Sequence, residues 1–273
     1  MEDRVSRQAT AGPSGLLRWP LAFRQWQGAR PYQEDAFDAR DIDPWGAGES
    51  PALLMILADG MGGAAGGAIA SHTAVEIFSR DFPILDGTAG ARFRACLEAA
   101  TASLHRQESA DARLRGMGTT VVAALYDGRS IEWLSVGDSP MWLFADGALV
   151  RLNADHSMAP VLEALVRAGE LTPDGARRDR RRNMLRSAVT GRAADMVDCG
   201  HRPCRLGPGG FLLIASDGIE TLAEDRIAQE LGAAKGSAEA AADGLLSAVR
   251  AAAGPYQDNV TIMLLAGAGG AAG

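Results

Sequence analysis

Acidic residues recur at the ends of the apolar runs of this chain, and this pattern constrains the fold more than any other feature. Asp59 ends the run "ALLMILAD" and Asp217 ends "LLIASD", and a glycine follows each of them. Asp138 closes "LSVGD", whereas Asp35 and Asp258 stand just before the runs "AF" and "NVTIML". One Asp-Gly after a strand is usually a turn. Several such residues can converge, because strands of one sheet end on common edges, and converging carboxylates repel one another unless a cation lies among them.

The glycines after Asp59 leave two interpretations open. Gly60-x-Gly62-x-x-Ala65 fits the loose form of the dinucleotide-binding pattern, in which a pyrophosphate lies on a helix N-terminus. Against it, the charge of Asp59 would repel a pyrophosphate, and no clear strand carries the acid expected about 20 residues further on. The other interpretation is a strand that delivers Asp59 to a metal. Oxygen ligands without a matching His or Cys favour Mg²⁺ or Mn²⁺ over zinc.

The composition indicates a soluble protein that does not bind nucleic acid through a broad basic surface. The chain has 273 residues, of which 47% are hydrophobic, and a net charge of -7. Its 3 cysteines suit a reducing compartment, and neither a signal peptide nor a membrane span is evident, so we expect a cytoplasmic location and no membrane partner. We predict a flexible arm at residues 1–19, one domain at 20–267 and a disordered tail at 268–273.

Short strands without intervening helices argue against a parallel sheet and favour an α+β fold. Four successive runs between residues 118 and 153, separated by breakers such as Asp-Gly, predict an antiparallel meander. The strands are predicted at 21–28, 35–40, 52–59, 118–128, 130–138, 140–147, 148–153, 209–218 and 259–267. The helices are predicted at 66–82, 89–107, 158–171, 224–233 and 237–252.

Seven short motifs occur in a recognisable order over about residues 22 to 266: "RPYQED", "ADGMGG", "GTT", "VGDS", "DHS", "ASDGI" and "DNVTI". Together they resemble the metal-dependent protein phosphatases of the PPM (PP2C) family. The resemblance implies an αββα sandwich of two antiparallel sheets flanked by helices, with a site for two Mn²⁺ or Mg²⁺ ions at one edge. It also implies that a water bridging these ions hydrolyses phosphoserine and phosphothreonine.

The resemblance assigns a role to each acidic position. Asp59 bridges the two ions, Asp35 and the Gly60 carbonyl complete the first site with Glu34 close behind, and Asp217 and Asp258 hold the second ion. Asp138 matches a residue that binds a weaker third ion.

Arg30 matches the arginine that grips the substrate phosphate, a role suited to its planar guanidinium. The segment between "DHS" and "ASDG" forms a flap in this family, so Arg177 and Arg178 are candidates for contacts with acidic or phosphorylated substrates. Two positions depart from the family. Met61 stands where some relatives have a histidine that protonates the leaving group, and Pro140 replaces the arginine of the usual Gly-Asp-Ser-Arg.

Two other function classes stay open beside a general phosphatase. One is a regulatory phosphatase dedicated to one partner, of the anti-sigma antagonist type, and the other is a catalytically weak phosphoprotein-binding module. For the leading function we expect phosphoprotein substrates, a Ser/Thr kinase that shares them, and a monomer. His156 is interpreted as stabilising a turn and His72 as a packing or surface residue, and Cys199-x-His201-x-x-Cys204 lacks a fourth zinc ligand.

Overall fold

The structure, a computed structural model, describes residues 18–43, 51–62 and 66–267. The predicted tail and residues 1–17 of the predicted arm lie outside the described residues. Arg18 pairs with Asp43 at 2.8 Å, and the ring of Trp19 packs edge-on against Tyr126 with the centroids 5.3 Å apart. These two residues of the predicted arm are therefore held against the domain, and the division into arm, domain and tail stays a prediction.

The described strands form two antiparallel sheets. Strand boundaries are β1 (Leu21–Trp26), β2 (Asp35–Ile42), β3 (Ala52–Met61), β4 (Gly118–Thr119), β5 (Val121–Tyr126), β6 (Ser130–Val136), β7 (Met141–Ala145), β8 (Ala148–Arg151), β9 (Asp198–Pro203), β10 (Phe211–Ala215) and β11 (Val260–Ala266). The first sheet has the order β1-β11-β10-β7-β8, and the second has the order β2-β3-β5-β6-β9, with the short β4 paired to β3.

Helices cover the outer face of each sheet. Helix boundaries are α1 (Gly66–Asp81), α2 (Ala89–Ala110), α3 (Ala159–Arg167), α4 (Pro173–Arg178), α5 (Glu224–Ala233) and α6 (Ala238–Ala252). Short 3₁₀ turns span Phe82–Ile84, Ala112–Leu114 and Asp217–Thr221. Helices α1 and α2 pack on the second sheet, and α5 and α6 pack on the first. No helix among the described residues is long and apolar enough to cross a membrane.

Strand β3 packs against the helix layer on one face and against the first sheet on the other. Its side chains alternate between two cores: Leu54 and Ile56 pack with Phe78 of α1, whereas Leu53 and Met55 face the first sheet. Both faces are buried, which explains the continuous apolar run in the sequence. The αββα sandwich predicted from the sequence is confirmed.

The predicted meander is wrong at one point. Strands β5 and β6 pair, as do β7 and β8, but β6 and β7 lie in different sheets. The chain crosses between the sheets at Gly137, whose φ of 107° favours glycine and whose added Cβ would collide with the side chain of Thr120. Asp138 therefore lies between the end of β6 and the start of β7, outside both sheets.

Two elements were not predicted. Strand β9, "DCGHRP", is an exposed edge strand paired with β6, and it lacks the alternation of apolar residues that marks a half-buried strand. Helix α4 lies in the segment between "DHS" and "ASDG", where Thr172 caps it by accepting from the Gly175 N–H at 3.0 Å.

Candidate active site

The strands bring the acidic positions to one edge of the sandwich. Asp35 at the start of β2 lies directly opposite Asp59 near the end of β3. Asp217 follows β10, and Asp258 precedes β11, the antiparallel neighbour of β10. The edge encloses a cavity of about 310 Å³. Its lining comprises Arg30, Glu34, Asp59, Gly60, Met61, Gly62, Thr120, Asp138, Asn183, Leu185, Asp217 and Asp258.

Hydrogen bonds of its backbone N–H and carbonyl groups hold Asp59 in place. Its N–H donates to Thr120 Oγ1 at 3.0 Å, and its carbonyl accepts from the Thr120 N–H at 2.8 Å and from Thr119 Oγ1 at 2.9 Å. These contacts leave the carboxyl group directed at the cavity. Burial, followed by the charges of Asp35 and Asp217, raises the pKa of Asp59 well above its ordinary value.

Asp35 lies beneath the cavity floor and is 2% exposed. Its Oδ2 accepts hydrogen bonds from Thr261 Oγ1 at 2.7 Å and Ser216 Oγ at 2.8 Å, while its Oδ1 is buried without a partner. Burial raises the pKa of Asp35 to about 7, and the two hydroxyl groups act in the opposite direction. The side chain is therefore held rigidly with one oxygen left to bind something else.

Asp217 and Asp258 differ in their neutralising partners. Burial and the charge of Asp258 raise the pKa of Asp217 to about 6, and the Asp217 Oδ1 is buried without a hydrogen bond. Asp258 instead forms an ion pair with the Arg30 guanidinium through its Oδ2. The Arg30 Nη2 atom and the Asp258 Oδ2 atom are thus engaged with each other in this structure.

Glu34 and Gly60 lie where the chain crosses itself closely. The Gly60 N–H donates to the Glu34 carbonyl at 3.1 Å, and the Cβ of any other residue at position 60 would collide with the backbone of Gly67 on α1. Packing alone therefore requires a glycine here, and the predicted role of its carbonyl stays a prediction. The Glu34 Oε1 is buried without a partner, and burial raises the pKa of this side chain.

Asp138 stands at the far end of the cavity, after the crossing between the sheets. Burial is the first cause that raises its pKa to about 8, and the charges of Asp217, Asp155 and Glu220 add to it. The exposed Glu220 side chain pairs with Arg151, whose Nη1 lies 3.3 Å from Glu220 Oε1. Neither Arg151 nor Glu220 was predicted to belong to the site.

The donor set fits a divalent cation, although the carboxylates are not gathered around one point. No group of three or more His, Cys, Asp or Glu side chains in the described part of the chain is arranged to hold a metal as it stands. Three buried carboxylate oxygens at this edge nevertheless lack partners: Asp35 Oδ1, Glu34 Oε1 and Asp217 Oδ1. Unpartnered anionic oxygens with raised pKa values are what a hard cation would stabilise.

The flap contributes residues other than the predicted ones. Asn183 and Leu185 line the cavity, whereas Arg177 and Arg178 lie on α4 outside it. Arg177 forms an ion pair with Asp174 on the same helix, and Arg178 is exposed. The substrate contacts of these two arginines therefore stay a prediction, which now requires a substrate longer than the phosphorylated residue.

The histidines and cysteines have structural positions. The Nδ1 atom of the buried His156 accepts from the Gly137 N–H at 3.1 Å, which confirms a turn-stabilising hydrogen bond, and burial lowers its pKa. His72 is exposed on α1. Cys199 and His201 lie on the exposed strand β9, and no metal-holding group of three forms with them among residues 18–43, 51–62 and 66–267.

Sequence analysis missed the residues that hold the site together. Asn259 is buried: its Oδ1 accepts from the Glu34 N–H at 2.8 Å, and its Nδ2 donates to the carbonyls of Gln27 and Tyr32, so it fixes the loop that carries Arg30. Asn259, Ser216, Thr261 and Thr120 all lie inside the motifs quoted above. Ser216 and Asn259 each stand beside an acidic residue, whereas Thr120 and Thr261 are polar residues next to apolar ones.

Solved structures share this architecture. The crystal structure of the Mycobacterium tuberculosis serine/threonine phosphatase PstP/Ppp superposes with a TM-score of 0.72 at 28% identity, covering 90% of this chain and 97% of the other. A structure of the PstP catalytic domain in complex with 2 manganese ions gives a TM-score of 0.72 at 27% identity and covers 90% and 96% of the two chains.

Sequence comparison agrees. The protein phosphatase 2C family model matches residues 31–247, and the chain belongs to this family. A putative protein phosphatase 2C-type of Streptococcus pyogenes serotype M6 is 34% identical over 185 residues, which cover 66% of this chain and 72% of the relative. Serine/threonine protein phosphatase PstP of M. tuberculosis is 31% identical over 214 residues, which cover 78% of this chain but only 40% of the relative's length.

Proposed function

We propose that this chain is a metal-dependent protein phosphatase that hydrolyses phosphoserine and phosphothreonine. The observation that carries the proposal is the fully buried Asp35 carboxylate, held by two hydroxyl groups with one oxygen unpartnered, directly opposite Asp59. A purely structural carboxylate would be paired, because burying an unpartnered charge is strongly unfavourable. A cation-binding role explains this arrangement.

The residues that would hold two Mn²⁺ or Mg²⁺ ions are Asp59 between them, Asp35 and Gly60 on one side, and Asp217 and Asp258 on the other, with Glu34 behind. Asp138 would hold a weaker third ion. When bound, such ions lower the pKa of a water toward neutrality and withdraw charge from phosphoryl oxygens. Family membership and the manganese-bound structure of the PstP catalytic domain support this assignment.

The protein's own groups then orient the substrate. Arg30 is half-exposed at the cavity mouth, and opening its pair with Asp258 would free a planar guanidinium for two phosphate oxygens. Asn259 fixes the loop of Arg30 and thereby its distance from Asp59. The cavity of about 310 Å³ is large enough for a phosphorylated side chain.

The leaving group needs a proton that Met61 cannot supply. Met61 lines the cavity, whereas the buried His156 is committed to Gly137 through its Nδ1. We therefore propose that the proton reaches the leaving serine or threonine oxygen through solvent in the cavity. The proposed physiological substrates are phosphoproteins made by a Ser/Thr kinase.

The test is phosphate release from a phosphothreonine peptide by the metal-free protein, after stepwise addition of Mn²⁺ or Mg²⁺. We expect no turnover in chelator, recovery with either ion, and little recovery for Asp217→Asn. Glu224→Gln, an exposed change at the start of α5, is the matched control for the loss of one acidic charge. Turnover that persists in chelator, or full activity of Asp217→Asn with the fold intact, would contradict the proposal.

A further inference from the structure

The loop that carries Asp138 is anchored at both ends by the segment after β8. At the first end, His156 Nδ1 accepts from the Gly137 N–H, and the His156 N–H donates to the Gly137 carbonyl at 3.0 Å. At the other end, Asn153 accepts from the Met141 N–H at 2.8 Å and donates to the Ser139 carbonyl at 2.9 Å. These bonds hold the loop on either side of Asp138, and none of them contacts Asp138 itself.

Arg151 supplies the contact to Asp138. Its Nη2 donates to the Asp138 carbonyl at 2.6 Å, and its Nη1 lies 3.3 Å from Glu220 Oε1. Glu220 belongs to the 3₁₀ turn Asp217–Thr221, which begins at Asp217. A single planar guanidinium thus joins the turn of Asp138, which precedes β7, to the turn of Asp217, which follows β10 in the same sheet.

The surroundings of Arg151 are acidic. Its Nη1 also lies 3.8 Å from Asp155 Oδ2, and the charges of Asp155, Asp217 and Glu220 all act on the Asp138 carboxyl group. Position 140, directly after Ser139, is a proline and carries no positive charge. The positive charge next to the Asp138 turn comes instead from Arg151 on β8, which lies opposite Trp142 of β7 in the strand register. The Arg151 side chain is 22% exposed, which limits its freedom to leave.

We propose that Arg151 is a positioning residue that fixes the Asp138 turn against the Asp217 turn and so sets the affinity of the site for its weaker cation. The proposal rests on the proposed function in one respect, namely that this cation supports turnover. Two physical effects of losing Arg151 have opposite signs. Cation binding weakens when Asp138 is no longer held in position. It strengthens when a positive charge that repels the cation is removed. We expect the loss of positioning to be the larger effect.

The experiment compares Arg151→Met, which removes charge and donors, with Arg151→Lys, which keeps the charge and one donor. Arg226→Met is the matched control, because Arg226 pairs with Glu230 on the surface of α5. Hydrogen–deuterium exchange of residues 137–141 is measured in chelator, and bound Mn²⁺ is counted by electron paramagnetic resonance during a titration. Turnover of an aryl phosphate is recorded alongside.

We expect Arg151→Met to speed exchange in residues 137–141 alone, and to weaken the weaker Mn²⁺ class by about 10-fold or more. Its kcat should fall more than its KM changes, and Arg151→Lys should restore part of each effect. Tighter Mn²⁺ binding by Arg151→Met would overturn the proposal, as would unchanged exchange or faster exchange throughout the fold. Exchange is measured without metal, so it decides the positioning role even if the protein has no phosphatase activity.

Discussion

Replacing Asp35 by asparagine should stabilise the metal-free protein while abolishing its response to Mn²⁺. Burial raises the pKa of Asp35 from 3.8 to about 7. An acid whose pKa is higher in the folded state destabilises that state as it ionises. The penalty is therefore absent below the unfolded pKa, grows with pH, and is complete above the folded pKa.

The magnitude follows from this difference. The folded and unfolded pKa values differ by about 3, so the ionised Asp35 destabilises the fold by about 4 kcal/mol at pH 8, but by only about 2 kcal/mol at pH 5. The asparagine amide at the position of the unpartnered Oδ1 offsets about 1–3 kcal/mol of the gain. We expect Asp35→Asn to be more stable than the wild type by about 1–3 kcal/mol at pH 8 in chelator, and to lose this advantage at pH 5.

The assay is thermal unfolding at both pH values, with and without Mn²⁺, where 1 kcal/mol corresponds to about 2–4 °C in Tm for a domain of this size. Mn²⁺ at about 1,000 times its Kd should stabilise the wild type by about 4.1 kcal/mol and the variant far less, which reverses their order. Asp38→Asn is the control, because this buried carboxylate is paired with Arg40 at 2.8 Å and Ser79 at 2.6 Å and its loss should destabilise at both pH values. A less stable Asp35→Asn at pH 8 in chelator would refute the reasoning.

Three further predictions concern the substrate side of the cavity. Met61→His should raise phosphoserine turnover more than aryl phosphate turnover, because the leaving serine alkoxide is basic and needs a proton donor. It should also add a pH dependence near about 6.5, the pKa of imidazole. Equal responses of the two substrates would show that position 61 does not face the leaving group. Arg178→Ala should raise KM for acidic phosphopeptides and leave aryl phosphate hydrolysis unchanged, and no effect on either would identify Arg178 as a solvated surface residue. Asn259→Ala should lower kcat/KM, because it loosens the loop of Arg30. Gln27→Ala is measured beside it, since the Gln27 side chain donates to the Arg30 carbonyl at 2.7 Å. A larger loss from Gln27→Ala would show that Gln27, and not Asn259, is the main residue that holds this loop.

The elements that bury apolar surface could be predicted from the sequence. The elements that bury little apolar surface could not. Strand β3 has a continuous apolar run, and helix α2 has apolar residues at helical spacing along its length. Strand β9 has none, and its pairing with β6 depends on backbone contacts that leave no pattern in the side chains. The crossing between β6 and β7 was missed for a related reason: two adjacent strand-like runs look alike whether they pair or separate into different sheets.

The acidic residues of the site were predictable because each one stands at the end or just before the start of an apolar run. Their partners were not. Arg151 and Glu220 lie 69 positions apart in the sequence and meet only because β8 and the turn after β10 reach the same edge. The pair between Arg30 and Asp258 likewise follows from the fold, and it shows that two residues predicted to bind different groups neutralise each other in this structure.

Anomalous diffraction at the manganese edge, from crystals grown with Mn²⁺, shows whether this edge of the sandwich holds divalent cations between the two sheets. We expect two strong peaks, both within ligand distance of Asp59. One should be shared with Asp35 or the Gly60 carbonyl, and the other with Asp217 and with an Asp258 released from Arg30. No peak at this edge, or manganese bound elsewhere while Arg30 and Asp258 remain paired, would contradict this expectation.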